Sequence, residues 1–442
     1  MMVIGMFKSI LKGVILFALV MSSIVLTYKI WNFRPNLADI ETSITKTNTA
    51  LSPKNVDNIN SVFLPYQVVS YSNDNVYGTS EKDILLDYIK RISGLKVSDI
   101  SGNNQGVSFM SKGLRDKFVM LDYAGELPIT MYQTDILDNV VKGDTNSNFK
   151  RIIIDSHSKQ NIVMYMITSD QKMIEIETNG SSKSFNELVK ETRKKMEHYT
   201  GIITNEKTTD ELTSVYVPEQ PTHTQAYSYL ADNINVDDIN KAVLGDKNSI
   251  IERSDNNQSK TYNSNTGIVK MSNNELYKFN NLSEVDHGKP NPMNNLINSF
   301  NFISEHRGFT DDYRYFGVKR SDGAINYQMF FKGYPVFNTH QLSDIDVIWG
   351  DEDVYEYKRG LYTTSVAVPT KQKVEQLPTA EEVRFSLASN EAVQFEGVTN
   401  MMIGYNMVRS EEETIQSTLS FKPAWFIKYN DEWKEYDNGR LK

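Results

Sequence analysis

Residues Gly13 to Tyr28 form an uncharged, mostly apolar run at the start of an otherwise polar chain. The run is bounded by Lys12 and Lys29, and the 16 residues between them would make roughly 24 Å of helix. A hydrocarbon core is about 30 Å thick, so the run falls about a turn short. Met6, Phe7, Ile10 and Leu11 lengthen it on one side, and Ile30 and Trp31 on the other. Lys8, Lys12 and Lys29 can snorkel outward from its ends. A cleaved signal peptide and a buried core helix are the competing readings. The stretch Met21-Ser-Ser-Ile-Val-Leu26 offers no small-x-small cleavage site, and a helix apolar on all faces suits lipid. An uncleaved transmembrane anchor is therefore expected. Lys8 and Lys12 before the span nearly balance Lys29 and Arg34 after it. Because long domains translocate largely regardless of charge, the expected arrangement is a short cytoplasmic tail with the bulk of the chain extracytoplasmic.

About 400 residues follow the anchor, enough for two or three domains. The net charge of −9 argues against nucleic acid as a partner. The chain has no cysteine, which removes disulfides, thiolate nucleophiles and cysteine metal sites. A large outer region without disulfides suits a Gram-positive bacterium.

The expected class is α+β: antiparallel sheets with packed helices, in several domains after the anchor. Expected boundaries are 1–34 for tail and anchor, 35–205, 206–284 and 285–442. Residues 35–60 read as a stalk. Ser80 is expected to cap a helix whose apolar face is Ile84, Leu85, Tyr88, Ile89 and Ile92, ended by Gly94. Strands are expected near 62–71, 117–123, 127–133, 150–156, 161–168 and 172–178. Ser184-Phe-Asn-Glu187 reads as a capping box for a helix to about His198. The second unit opens at Thr213-Ser-Val-Tyr-Val-Pro218, with a strand near 223–231, a helix from Val236 to Leu244 stopped by Gly245, a loose hairpin loop at 252–266, and strands near 267–271 and 275–279. Asn291-Pro292 opens another helix, with Leu296, Ile297, Phe300 and Ile303 inward. Strands are expected from 312 to 368. Thr379-Ala-Glu-Glu382 is a second capping box, with Val383, Leu387 and Ala388 as the apolar face. Strands near 397–408, 416–421 and 423–430 complete a doubled helix-then-meander order.

Motifs for catalysis are weak. The histidines are 157, 198, 223, 287, 306 and 340, none at helical zinc spacing. His157 adjoins Asp155 and Ser156, but neighbours along a strand face opposite ways. Ser169-Asp-Gln-Lys172 and Ser254-Asp-Asn256 match two motifs of penicillin-recognising enzymes, while the third, Lys-Thr-Gly, is missing. Asp344, Asp346, Asp351, Glu352 and Asp353 lack the loop glycine and terminal glutamate of an EF-hand, so a solvated strand edge is expected there. Tyr327 to Phe337 reads as sheet core. No catalytic, cofactor or metal residue is assigned. The candidate working surface lies in the anchor: Gly5, Ser9 and Gly13 recur every four residues, as do Ala18 with Ser22 and Ser23 with Thr27. Gly13, Ala18, Ser22, Ser23 and Thr27 would form a groove for a partner helix.

The anchor with its Trp31-Asn-Phe-Arg-Pro35 exit, Lys332-Gly-Tyr-Pro-Val-Phe337 and Leu419-Ser-Phe-Lys-Pro-Ala-Trp425, in this order, resemble the YycH family of regulatory proteins from low-GC Gram-positive bacteria. The resemblance covers essentially the whole chain. It implies a three-domain outer region whose second and third domains are similar to the partner protein YycI. It also implies association with YycI and with the sensor histidine kinase WalK (YycG), and adjustment of signalling to WalR in cell-wall metabolism. The family supplies no active site and no cofactor. The expected function is a non-enzymatic, membrane-anchored accessory regulator, with a lean to activation. An extracytoplasmic enzyme on wall polymers, which needs two close carboxylates in a cleft, and a ligand-sensing module with a deep apolar pocket are the alternatives.

Overall fold

The computed structural model describes residues 12–13, 16–27, 58–73, 75–106, 117–136, 147–155, 160–168, 170–202, 212–221, 225–245, 250–254, 259–285, 295–369, 374–410 and 417–442. Outside them lie most of the 35–60 stalk, the Trp31–Pro35 exit, Gly5, Ser9, His157, His223, His287, Ser169, Asp255-Asn256 and the Asn291-Pro292 helix opening. The chain divides into two compact units, Met1–Ile44 and Thr45–Lys442.

In the first unit, residues 16–27 form helix α1, and 12–13 are also helical. Its apolar side chains are exposed, from Leu16 and Phe17 to Val25 and Leu26. Among the described residues no helix is long and apolar enough to cross a membrane.

The second unit is α+β and almost wholly antiparallel. Its first sheet contains β1 (Gln67–Ser72), β2 (Asn75–Thr79), β3 (Val97–Gly106), β4 (Lys117–Pro128), β5 (Asn148–Asp155), β6 (Asn161–Thr168), β7 (Lys172–Ser181), β8 (Glu197–Ile202) and β9 (Val215–Pro218). Their order is β3-β7-β6-β5-β4-β1-β2-β8-β9. Helices α2 (Ile59–Val62), α3 (Lys82–Ser93), the single turn α4 (Ile129–Met131) and α5 (Ser182–Thr192) accompany it.

The second sheet contains β10 (Tyr227–Asn233), β11 (Ile251–Ser254), β12 (Lys260–Asn263), β13 (Gly267–Ser272), β14 (Leu276–Asn281), β15 (Asp312–Val318), β16 (Ile325–Phe331), β17 (Tyr334–Phe337), β18 (Asp344–Trp349), β19 (Val354–Gly360), β20 (Tyr362–Ala367), β21 (Val398–Ser410), β22 (Thr418–Tyr429), β23 (Glu432–Asp437) and β24 (Arg440–Leu441). Its path runs β11-β12-β13-β14-β19-β18-β16-β17-β21-β22-β10-β20, with β15 on β16, β23 on β22 and β24 on β23. The β17–β21 pair is parallel. Helices α6 (Val236–Leu244), α7 (Leu296–Glu305) and α8 (Ala380–Ala388) accompany this sheet.

Local signals explain several helices. On α3 the five expected apolar residues are the five buried ones. Tyr88 on that face reaches Thr192 of α5, hydroxyl to hydroxyl at 2.8 Å. α6 begins with Asn235 accepting from Asp237 N and stops at Gly245, where φ is +84°. Thr379 and Glu382 form the capping box of α8. Val383 and Leu387 are buried there, but Ala388 is exposed.

Other expectations are corrected. Ser184 does not cap α5, which starts at Ser182; Arg91 Nη1 donates to the Ser184 hydroxyl at 2.7 Å instead. That helix ends at Thr192, and His198 lies in β8. Glu81, not Ser80, is the N-cap of α3, because Ser80 hydrogen-bonds Tyr334 across the fold. The strand expected at 127–133 stops at Pro128, and Tyr132–Ile136 form a π turn. There Tyr132 packs edge-on against Tyr123 and Phe149. The loose hairpin loop expected at 252–266 is a hairpin, but an ordered one: most of β11 and all of β12 lie in it and pair antiparallel. Strands 416–421 and 423–430 are one, β22, which runs through Pro423.

Candidate functional site

Gly13, Ala18, Ser22, Ser23 and Thr27 all lie on described, exposed helical positions. A Cβ added at Gly13 would meet nothing within 4 Å. The Thr27 hydroxyl donates to the Ser23 carbonyl at 2.8 Å, so its polarity is satisfied within the helix.

At Asp344 and Asp346 the acidic hairpin is not a solvated edge, whereas Asp351 and Glu352 at its turn are exposed. β18 lies between β16 and β19, and Asp346 is only 7% exposed. Lys319 Nζ donates to Asp344 Oδ2 at 3.1 Å and to Asp346 Oδ2 at 2.7 Å. Asn326 and Gln328 donate to the remaining oxygens at 2.7 and 2.8 Å. Burial, and then the neighbouring Asp344, push the Asp346 carboxyl up, while Lys319 and Asn326 oppose the rise. Two carboxylates do converge here, but a lysine bridges them. Asp351 and Glu352 give their backbone N–H groups to Glu284 Oε2 at 2.7 and 3.2 Å. Among the described residues no group of three or more His, Asp or Glu could hold a metal.

The described histidines are scattered. His198 packs on Tyr77 with ring centroids 4.4 Å apart, His306 Nε2 lies 3.2 Å from the Tyr357 hydroxyl, and the His340 N–H donates to Asn338 Oδ1 at 2.8 Å. Lys172 pairs with Asp170 at 2.6 Å.

Two of the three sequence segments that carry the family resemblance lie in the described residues, and both have structural roles. Phe331 pairs with Tyr334, and the two residues between, Lys332 and Gly333, have φ of +51° and +85°. Positive φ at both central positions is the hairpin geometry that matches strand twist. A Cβ on Gly333 would lie 2.5 Å from the Ser80 carbonyl oxygen, so this turn seats the second sheet against the start of α3. Trp425 is buried, and its Nε1 donates to the Pro378 carbonyl at 2.9 Å.

The two sheets share one core. Phe63 meets Phe300, Tyr315 and Tyr327 at centroid distances of 6.0, 5.4 and 6.3 Å. The Tyr315 hydroxyl donates to the Glu126 carbonyl at 2.8 Å. Lys82 of α3 pairs with Asp312 at 2.6 Å, and Asp312 also receives the buried Arg314 at 2.9 Å. Burial works against that carboxylate, but Arg314 and Lys82 prevail and hold it low. Within the first sheet, Gln67, Asp122 and Arg151 form a row across β1, β4 and β5.

Lys150, half-buried on β5, is the counter-example. Burial and then the nearby Lys428 bring its ammonium down to about 8. In an unfolded chain lysine titrates near 10.4, so between these values the unfolded state binds more protons. Stability contributed by this group therefore rises with pH over that window, and at pH 7 the charged lysine is a cost. Lys150→Met is expected to raise stability at pH 7 by about 1 kcal/mol and to flatten the rise between about pH 8 and 10.4. Thermal melts of both proteins across that range check this.

A small cleft of about 20 Å³, room for a single water, lies among Tyr66, Ser80, Tyr199 and Tyr334. A larger groove of about 610 Å³ runs along β22 and β23 beside α8, and its lining is more polar than apolar. Neither is a deep apolar pocket. The groove combines chain segments 375–378, 422–425 and 435–438 with Glu382, and only the second carries a recognisable sequence pattern.

Comparison with known proteins assigns the chain. A family model described as "YycH protein, N-terminal domain" matches residues 9–197, and one described as "YycH protein, C-terminal domain" matches residues 212–438. A curated relative from Bacillus subtilis (strain 168), "Two-component system WalR/WalK regulatory protein YycH", is 20% identical over 444 residues, covering 95% of this chain and 94% of that one. The solved "Crystal Structure of YycH from Bacillus subtilis" is similar with a TM-score of 0.69 at 15% identity, covering 87% of this chain and 98% of that chain. At this identity the structural likeness is one of fold. The C-terminal match alone spans more than half of the sequence, and the chain belongs to the YycH family.

Proposed function

We propose that this chain is a non-enzymatic accessory regulator of a WalR/WalK-type two-component system. The observation that carries the reading is the near end-to-end match to a relative whose name states that role. The lysine-bridged Asp344 and Asp346 supply no free carboxylate pair, so the wall-hydrolase alternative gains no support from them. In this reading the Gly13–Tyr28 run is an anchor in the cell membrane, and the bulk of the chain is extracytoplasmic. The exposed apolar side chains of α1 support it, because such a surface is stable only when covered or in lipid. Partners are WalK, through the Gly13, Ala18, Ser22 side of the helix, and YycI, through the outer region. The similarity of the last two outer domains to YycI and the control of cell-wall metabolism are part of the same proposal.

The mechanism is a population shift. A two-state kinase is biased only by a regulator that binds one state better, and a coupling of about 1–3 kcal/mol changes output roughly 5- to 150-fold. The sign is proposed as activation. Ser22→Leu and Ala18→Leu are each expected to reduce co-purification of WalK with the full-length chain and to lower a WalR-dependent reporter in cells co-expressing YycI. Unchanged recovery and unchanged reporter in both variants would remove the helix-groove contact. Protease added to intact cells is expected to digest the outer region. Full protection there would reverse the topology.

A further inference from the structure

We propose that Lys319 and Asp346 join covalently, through an amide between Nζ and Cγ formed with loss of water, and that Asp344 and Asn326 assist the step. The inference concerns chemistry between side chains of the second sheet and stands without the regulatory reading.

The sheet aligns the four groups. Val318 of β15, Ile325 of β16 and Val347 of β18 are register partners in a row. Side chains alternate along a strand, so Asn326 and Asp346, partners in the next pair, stand on the opposite face, and Lys319 follows Val318 onto it. The turn at Lys319 is closed by its own N–H to the Ala324 carbonyl and by the Gly323 N–H to the Lys319 carbonyl, both at 2.9 Å. Nζ then reaches Asp346 Oδ2 at 2.7 Å and Asp344 Oδ2 at 3.1 Å. A nitrogen hydrogen-bonded to a carboxyl oxygen is already close to the carbon behind it, near the reacting separation of about 3–3.5 Å. Asn326 Nδ2 donates at 2.7 Å to Asp346 Oδ1, the oxygen that stays. Gln328 Nε2 and the Ser343 hydroxyl donate to Asp344 Oδ1 at 2.8 and 3.2 Å, which leaves its Oδ2 to Lys319.

Each group has a part in the step. Asp344 accepts one proton from the Lys319 ammonium, and the freed lone pair on Nζ attacks Asp346 Cγ. Negative charge gathers on Oδ1, where the Asn326 amide is placed to stabilise it. Oδ2 then takes the proton held by Asp344 and a second from Nζ, and departs as water. The third ammonium proton stays on the amide nitrogen and Asp344 returns to a carboxylate, so no co-reactant is needed. Burial favours the exchange, because two charges held out of water become one neutral amide. It also pushes the Asp346 carboxyl up, toward the neutral form that an amine attacks. Asp346 and Asn326 are both buried, which keeps bulk water from the product. The Lys319 and Asp344 side chains, 26% and 14% exposed, leave a path for the released water. The product ties the end of β15 to β18, and β15 is the strand that sets Asp312 and Gly317 against the first sheet and its helix α3.

The test is mass spectrometry of the purified full-length chain. The intact mass is expected to fall below the sequence mass by one water in most molecules. Trypsin does not cleave after an acylated lysine, so it is expected to release Tyr315–Arg320 joined to Gly333–Lys358, with fragment ions placing the link on Lys319 and Asp346. Lys319→Arg keeps the charge and is expected to show the full mass and no joined peptide. Asp344→Asn keeps both reacting groups and is expected to lower the joined fraction about tenfold. Circular dichroism melts check that both variants fold, and the mass of the unsubstituted chain decides the matter even where one does not. Full mass in that chain, a link ending on Asp344, or an undiminished joined fraction in folded Asp344→Asn overturns the proposal. So does water loss confined to Ser321–Lys332, where Asp322-Gly323 can close a succinimide.

Discussion

Asp122→Ala is expected to cost about 3–5 kcal/mol, a large share of the roughly 5–15 kcal/mol that holds a typical domain folded. Asp122 is 3% exposed. Arg151 grips it with two nitrogens, Nε to Oδ1 at 2.5 Å and Nη2 to Oδ2 at 3.2 Å, and Gln67 Nε2 adds a third donor at 2.9 Å. The same groups tie the row to the end of the first sheet, since Arg151 Nη1 reaches the Leu212 carbonyl and Gln67 Nε2 the Tyr216 carbonyl. Removing the carboxylate leaves a largely buried guanidinium, 14% exposed, whose remaining hydrogen-bond partners are neutral. Burial alone would lower the affinity of Arg151 for its proton, and Asp122 is what outweighs it. For a unit of this size the loss corresponds to a melting temperature lower by about 5 °C. Asp122→Leu combined with Arg151→Met should recover most of it, because an apolar pair of similar volume avoids the desolvation penalty. Failure of the double variant to recover, with the single variant as unstable as expected, would point to Gln67 and the Tyr216 carbonyl as the groups that matter.

Gly125→Val is expected to cost about 3 kcal/mol and to loosen the seam between the sheets selectively. A Cβ at Gly125 of β4 would lie 2.4 Å from the Gly317 Cα and 2.7 Å from its nitrogen. Both are backbone atoms of β15, so no side chain can swing away. Gly317 itself has φ of +139°, a conformation that side chains rarely adopt, and it too must remain glycine. The two chains can approach because the ladder is irregular on both sides of the contact. The β4–β5 register shifts between Asp122 and Leu127, and the β15–β16 register shifts between Tyr315 and Gly317. The neighbouring bond from Tyr315 to the Glu126 carbonyl would be pulled apart with it. Hydrogen exchange should show faster exchange in β4 and β15 with β6 and β7 little changed. Gly94→Ala is the control: its φ is −83° and a Cβ there meets nothing within 4 Å, so stability should hold or rise slightly.

How much of the chain is legible in its sequence depends on the range of each signal. The apolar face of α3, the Asn235 and Gly245 ends of α6, and the Thr379–Glu382 box of α8 are all set within a turn or two of helix, and all are found. The box expected at Ser184–Glu187 has the same pattern and fails, because Arg91 from a different helix takes the serine hydroxyl. Ser80 fails in the same way, drawn to Tyr334. The acidic hairpin misleads because its neutralising partner, Lys319, is 25 residues from Asp344 in sequence. Its charges read as solvated until the sheet places that lysine between them.

The sequence by itself determined the α+β character, the apolar leading run, the absence of any thiol chemistry, the sheet-core aromatics from Tyr327 to Phe337 and the family to which the chain belongs. Only the tertiary structure decided which strands are neighbours. β14 pairs with β19, and β10 lies between β20 and β22, joining segments more than 70 residues apart. It also decided that Gly125 must meet Gly317 and that segments 375–378, 422–425 and 435–438 share one groove. Propensities and caps act over one turn of chain and can be read in order. Strand pairing is chosen by which distant apolar faces bury together against the entropy of closing the loops between them, and no local pattern records that choice.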